Sequence, residues 1–212
     1  LGLAINGGRC IDCGEACPRW KVCGALGKKL SIDTGSLETM TSFDQVLESY
    51  DKQMKHQCDL MISCINKMDL AHQRMKPVPY LSLLIDGCIE KGLDASAGGA
   101  IYNHSGPQGV GMGTTADSLA VIKQLVLDEK RVTGAELLQA LRDNWEGHEK
   151  LYALVNSEHM HQYGNDDDYA DDLAKFAINS YCSHIEHRPT PHGGDYMPGV
   201  FSVTANVQDR KS

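Results

Sequence analysis

The chain has 212 residues, enough for one large domain or two small ones, and is 42% hydrophobic against 23% charged, so a packed core is feasible and wholesale disorder is excluded. A formal net charge of −8 with scattered Lys and Arg argues against a nucleic-acid or anionic-membrane surface. No apolar run reaches the roughly 20 residues that span a bilayer, and the expectation is a soluble, cytoplasmic chain without a secretory signal.

Residues 1–36 are rich in Gly, Cys and Lys and read as loop after a short initial strand or helix. LGLAI starts inside an apolar segment, and the chain stops soon after a strand-like run, so both ends are expected to be cuts from a longer polypeptide. A long helix then opens at Ser42, where Ser42 and Gln45 form a capping-box pattern. Phe43, Val46, Leu47, Tyr50, Met54, Cys58, Met61, Ile65 and Met68 follow at helical spacing as its apolar side, and Pro77 and Pro79 stop it. At 1.5 Å per residue the helix spans roughly 50 Å, long for a domain of this size unless it braces something larger.

A second helix is predicted over 80–91, with Leu81, Leu84, Ile85 and Cys88 on one face. Ala100, Ile101 and Tyr102 read as a short buried strand, followed by a glycine-rich loop and a helix from Thr114 with Leu119, Ile122 and Val126 inward. Thr133 and Glu136 cap a further helix carrying Leu137, Leu138, Leu141 and Trp145. A short helix covers 151–155, and an acidic run from Asn165 opens one through Leu173, Phe176, Ala177 and Tyr181. Residues 188–199 are loop, and Phe201, Val203, Ala205 and Val207 alternate with Ser202, Thr204 and Asn206 as a strand.

Five patterns could carry chemistry. Gly109, Gly111 and Gly113 suggest a phosphate cradle, but G-x-G-x-G is not the dinucleotide fingerprint, and Asp128 and Glu129 end a helix rather than a second strand. Glycines chosen for close packing and positive φ are the favoured reading. Cys10, Cys13, Cys17 and Cys23 follow C-x2-C-x3-C-x5-C, the strongest metal candidate in the chain. That spacing fits neither ferredoxin form closely, so unligated thiols are favoured and no metal is expected. Gly87-Cys88-Ile89-Glu90 places a thiol two residues from a carboxylate, as a nucleophile and an acid would be, but Cys88 falls on an apolar helix face and reads as a buried structural cysteine. Asp167, Asp168 and Asp171 have a magnesium-like spacing, yet acidic residues at a helix N-terminus are what the helix dipole favours. His184, His187 and His192 lie within nine residues, but the third falls in a proline loop.

Taken in order, LGLAINGG, the long helix, PVPYLSLLIDGCIEKGLD, AGGAIYNHSGPQGVGMGTTADSLAVIKQLV, YGNDDDYADDLA and GGDYMPGVFSVTANV resemble the pyruvate formate-lyase-like glycyl radical enzymes over nearly the whole chain. The resemblance implies one partial domain over 1–212 (a Cys/Gly-rich loop segment at 1–36, helices and barrel strands at 42–212) of a ten-stranded α/β barrel, helix-rich in this segment. It implies a parent enzyme of anaerobic metabolism, of lyase or acyltransferase class. A glycyl radical there passes to a cysteine, whose thiyl abstracts a substrate hydrogen before a C–C, C–O, C–N or C–S bond breaks. The implied partners are a radical S-adenosylmethionine activating enzyme, a small-molecule substrate and a second subunit in a homodimer.

The family's radical motif, Arg-Val-x-Gly-Tyr, does not occur in these residues. The family's Gly-Cys-Val-Glu loop precedes the segment matching LGLAINGG, so its role does not transfer to Cys88 or Glu90. No cofactor is therefore expected on this segment, and the catalytic residues stay unassigned. In the barrel that the resemblance implies, the polar face of the last strand, Ser202 and Thr204, and the strand end at Tyr102 and Asn103 are the candidate substrate-lining residues. Two other classes compete: a small iron–sulfur or zinc protein built on the N-terminal cysteines, and a nucleotide-binding module built on the glycine loop.

Overall fold

The computed structural model describes residues 1–10 and 29–201. They divide into two compact units. The first comprises Leu1–His56 and Gly111–Ala177, and the second Gln57–Val110 and Ile178–Ser212.

The first unit is a helical body around a main apolar core, with smaller clusters about Ala4, Tyr50 and Ala177 and about Val121, Leu125 and Met160. Helix α1 (Gly2–Ile5) buries Ala4 and Ile5. Helix α2 (Phe43–Met75), whose residues up to His56 belong to this unit, begins with the Gln45 half of the expected capping box: the Gln45 side-chain oxygen accepts from the backbone N–H of Thr41 (2.8 Å) and Ser42 (3.4 Å). Helix α5 (Met112–Val121) runs directly into a wider π-helical stretch, Ile122–Asp128. There the N–H of Glu129 reaches back five residues to the carbonyl of Gln124 (2.8 Å). Helix α6 (Gly134–Arg142) carries a complete capping box. Thr133 Oγ1 accepts from the Glu136 N–H (3.1 Å), while the Glu136 carboxylate accepts from the Thr133 N–H (2.8 Å) and so is held below the usual carboxylate range. Helices α7 (Glu149–Val155) and α8 (Asp168–Ser183) complete the set. Leu119, Leu138, Val46, Leu37 and Ile122 form the centre of the core, with Leu173 and Ala174 from α8.

The second unit is built of short pieces. Residues 80–91 are not one helix: α3 (Pro79–Ser82) and α4 (Cys88–Lys91) are single turns separated by the non-helical residues 83–87. Gly87 has φ +95°, a left-handed conformation that costs glycine little and breaks a right-handed helix. Leu81 and Leu84, the expected inner face, are 51% and 81% exposed. The expected strand at 100–102 is also absent among the described residues, and Ile101 and Tyr102 are 59% and 81% exposed. The described strands are β1 (Gln108–Gly109) and β2 (Gly199–Val200), paired in parallel as Gln108 with Gly199 and Gly109 with Val200. An isolated parallel bridge joins Ser105 to Tyr196 just before them. The expected strand over 201–207 lies outside the described residues beyond Phe201.

The long helix departs from its expected face as well. Val46, Tyr50 and Cys58 are buried as the spacing predicts, but Met68 is 57% exposed. Part of the packed side is polar. Ser49 Oγ donates to the Thr34 carbonyl (2.8 Å), and the Gln53 amide donates to the Ile32 carbonyl (2.7 Å) and Thr34 Oγ1 (3.1 Å). Further along, Asp59 accepts from Arg188, Asn66 accepts from the Tyr196 hydroxyl, and Asp69 faces His192. The carbonyls of Ile32 and Thr34 lie in an irregular segment and so take side-chain partners, whereas the partners of Asp59, Asn66 and Asp69 are the side chains of the 188–196 loop.

Candidate functional site

The substrate-lining candidates that lie within the described residues, Tyr102 and Asn103, belong to the second unit. Tyr102 projects an exposed ring, and Asn103 sits beside it with its amide committed to the backbone: Nδ2 donates to the carbonyls of Ala100 (2.8 Å) and Gly98 (3.2 Å). Lys91 Nζ donates to the same two carbonyls, at 2.6 and 3.3 Å respectively. Thus 98–103 is a tied turn presenting Tyr102 outward. A Cβ on Gly194 would overlap the Asn103 carbonyl oxygen, so the 188–196 loop can lie directly on this turn only because residue 194 lacks a side chain. Ser202 and Thr204 lie outside the described residues.

Cys88 is 3% exposed at the start of α4, and Glu90 reaches back to accept from the Gly87 N–H (3.1 Å). The carboxylate therefore serves the local turn. An open hollow of about 220 Å³ lies beside them, lined by residues that include Pro79, Leu83, Cys88, Ile89 and Asp94. Asp94 organises its rim. One carboxylate oxygen accepts from Ser96 N (2.9 Å) and Ser96 Oγ (2.6 Å), the other from Val78 N (2.9 Å) and Ser82 Oγ (2.8 Å). These bonds, the Ser96 hydroxyl foremost, lower its pKa to about 2.

The glycine loop serves packing and capping. Gly109 lies against the Tyr181 ring, where a Cβ would approach Cε1 to 2.8 Å, and Gly111 precedes α5 as its N-cap. The Tyr181 hydroxyl is buried with no hydrogen-bond partner among the described residues. Burial first, then Cys58 and Cys182, pushes its pKa up to about 12. Burial also raises the thiols of Cys58 and Cys182, which makes them poor nucleophiles at neutral pH.

Among the described residues, no group of three or more His, Cys, Asp or Glu is placed to hold a metal ion. Cys10 is a free thiol; Cys13, Cys17 and Cys23 lie outside the described residues. The three histidines diverge: the His184 carbonyl accepts from Arg188 (3.3 Å), His187 is exposed beside Glu186, and His192 faces Asp69. The acidic run acts in the first unit as a helix start, but with a partner that the sequence reading missed. His161 Nδ1 lies 2.6 Å from Asp167 Oδ2, and this bond is the main reason that the Asp167 carboxyl titrates below its ordinary value. The His161 ring stacks on Tyr169 at 4.2 Å, Lys123 Nζ sits 3.9 Å from that ring's centroid, and the Tyr169 hydroxyl donates to Asp128 (3.0 Å). The only signal available was His161 six residues ahead of Asp167.

Comparison with known proteins decides the family. The model described as pyruvate formate lyase-like matches residues 21–208. The chain belongs to the pyruvate formate lyase-like family. Within it, the chain is 54% identical over 207 residues to the (2S)-3-sulfopropanediol dehydratase of Klebsiella oxytoca, covering 98% of this chain and 24% of that protein. It is 37% identical to the trans-4-hydroxy-L-proline dehydratase of Clostridioides difficile, covering 85% of this chain and 23% of that protein. The glycerol-bound B12-independent glycerol dehydratase from Clostridium butyricum superposes with a TM-score of 0.84 at 34% identity, over 98% of this chain and 24% of that one. The chain thus spans about a quarter of the length of these relatives, and its helix-rich fold is part of the α/β barrel of the glycyl radical enzymes. No helix among the described residues is long and apolar enough to cross a membrane.

Proposed function

We propose that this chain is a wall segment of a glycyl radical dehydratase that removes water from a small substrate with hydroxyl groups on adjacent carbons. The observation carrying this reading is the 54% identity to a sulfopropanediol dehydratase, sustained over 98% of the chain. The glycerol-bound structural relative supports the same substrate class. The proposal gives the radical step to neither Cys88, which is buried, nor Glu90, which is tied to Gly87. In the family, the radical supplies hydrogen abstraction. The role proposed for this chain is to form barrel wall and to offer the substrate the hydroxyls of Tyr102, Ser202 and Thr204 and the amide oxygen of Asn103, whose Nδ2 is spent on the Ala100 and Gly98 carbonyls.

The exposed apolar side chains of the second unit support this reading, because surfaces of that kind ordinarily meet further protein. A radical S-adenosylmethionine activating enzyme and a homodimeric assembly belong to the same proposal, as does action in anaerobic metabolism in the cytoplasm. The test is anaerobic activation of the polypeptide carrying this segment, followed by assay with glycerol, propane-1,2-diol and 3-sulfopropane-1,2-diol. Aldehyde release from at least one is expected, with KM raised about fivefold or more when Ser202 and Thr204 are both replaced by Ala. Coenzyme-A-dependent acyl transfer in place of dehydration would move the protein to the acyltransferase class, and an unchanged KM would remove the lining role.

A further inference from the structure

The parallel pair of β1 and β2 has two residues on each side, too few for its own hydrogen bonds to choose a register firmly. The contacts around it are nevertheless continuous. The Ser105 N–H donates to the Asp195 carbonyl (3.1 Å), Met197 to Ser105 (2.9 Å), Gly199 to Pro107 (3.0 Å) and Phe201 to Gly109 (3.3 Å). Tyr196 stands at the head of this ladder. Its backbone bridges Ser105, its side chain is 0% exposed, and its hydroxyl donates to Asn66 Oδ1 on α2 at 2.7 Å.

A strand advances about 3.3 Å per residue, and a one-residue slip turns each side chain to the opposite face. Either change would pull the Tyr196 hydroxyl off Asn66. Two further ties hold the same loop to the same helix: Arg188 to Asp59, and His192 to Asp69 at 3.5 Å. Asp59, Ile62, Asn66, Asp69 and Gln73 recur at steps of three and four, so they share one stripe of α2, and Ile62 in it is 4% exposed.

We infer that Asn66 is a positioning residue: by holding the Tyr196 hydroxyl it sets the register of 195–201 against 105–109, and thereby the place of the Tyr102–Asn103 turn beside the ladder. The link from this register to the substrate rests on the function proposed above. Ladder and turn are joined, because the loop that carries Tyr196 also packs Gly194 against the Asn103 carbonyl. Asn66 is fixed on a helix of 33 residues and so offers a rigid reference point that the short strands lack.

The test uses amide hydrogen exchange on the native protein and on Tyr196→Phe, Asn66→Leu and Asn66→Asp. Tyr196→Phe keeps the buried ring, and Asn66→Asp keeps an accepting oxygen. About tenfold faster exchange is expected at Ser105, Met197, Gly199 and Phe201 in the first two variants. Control amides of the same unit, Leu93, Ala97 and Gly99, should stay within twofold, and Asn66→Asp should restore protection. An even rise across the second unit, or no rise, overturns the assignment. In the activated enzyme, Tyr196→Phe should lower kcat/KM about tenfold and Asn66→Asp should recover it. Localised exchange with unchanged kinetics would overturn the link to substrate while leaving the register assignment in place.

Discussion

The two units use their apolar residues in opposite ways. The first draws Leu37, Val46, Leu119, Ile122 and Leu138 into one closed core. The second leaves Tyr80, Leu81, Leu83, Leu84, Ile89, Ile101 and Tyr102 exposed, and among the described residues it holds sixteen of the twenty large apolar side chains that face outward. What orders the second unit instead is polar: the Asp94 hub, the Asn103 and Lys91 ties, and the contacts of Asp59, Asn66 and Asp69. The first unit thus rests on its own burial, and the second on specific hydrogen bonds around a surface left for other contacts.

Core truncation gives the largest expected difference. Leu138→Ala, at a fully buried position, should cost about 3 kcal/mol in chemical denaturation. Leu84→Ala, at a position 81% exposed, should stay within about 0.5 kcal/mol. Equal costs would break the contrast between the units. Gly194→Ala comes next: its Cβ would strike the Asn103 carbonyl, so about 2 kcal/mol of destabilisation is expected, together with lost amide protection at Ser105. A neutral Gly194→Ala would mean that the loop does not lie on the turn.

Thr133→Ala should cost about 1 kcal/mol by removing the acceptor for the Glu136 N–H, measured as a lower Tm. The smallest effect is acid-dependent and sharpens the picture of the second unit. Asp94 has a folded pKa of about 2, below the unfolded value near 3.9, so its contribution is complete above pH ~4 and fades as pH falls toward ~2. Exchange at Val78 and Ser96 should therefore accelerate over that window in the wild type and not in Asp94→Asn. Acceleration centred near neutral pH would point to a different group.

The first unit was legible because its signals are local. Capping pairs at Ser42/Gln45 and Thr133/Glu136 need only neighbouring residues to act, and helices α2 and α6 begin where these stand. The second unit resisted the same reading. Leu81, Leu84 and Cys88 do repeat at helical spacing, but Gly87 adopts a left-handed conformation that periodicity does not register. Ile101 and Tyr102 have strand-forming side chains, and the chain turns there because Asn103 and Lys91 capture its carbonyls. The polar stripe on α2 was hidden for a related reason. Asn66 and Asp69 look like solvent-facing residues until the loop they hold, more than 100 positions away, is placed beside them. Of the candidate site, Tyr102 as an exposed side chain is visible in the fold, whereas the Asp94 hub and the His161–Asp167 pair depend on partners that no spacing rule joins.

The π-helical stretch Ile122–Asp128 has a bearing on how α5 stops. Bonds that reach back five residues make a wider turn than those of an α-helix. Here they close the helix, and no α-helical turn follows before Gly134. Gln124, 6% exposed, is turned inward at this end, where its side chain donates to Glu129 (2.8 Å) and the His159 carbonyl (3.2 Å). No glycine or proline stands between Ile122 and Thr133, so the stop signal here is a buried amide and the left-handed Lys130 at φ +52° rather than a residue that breaks helices.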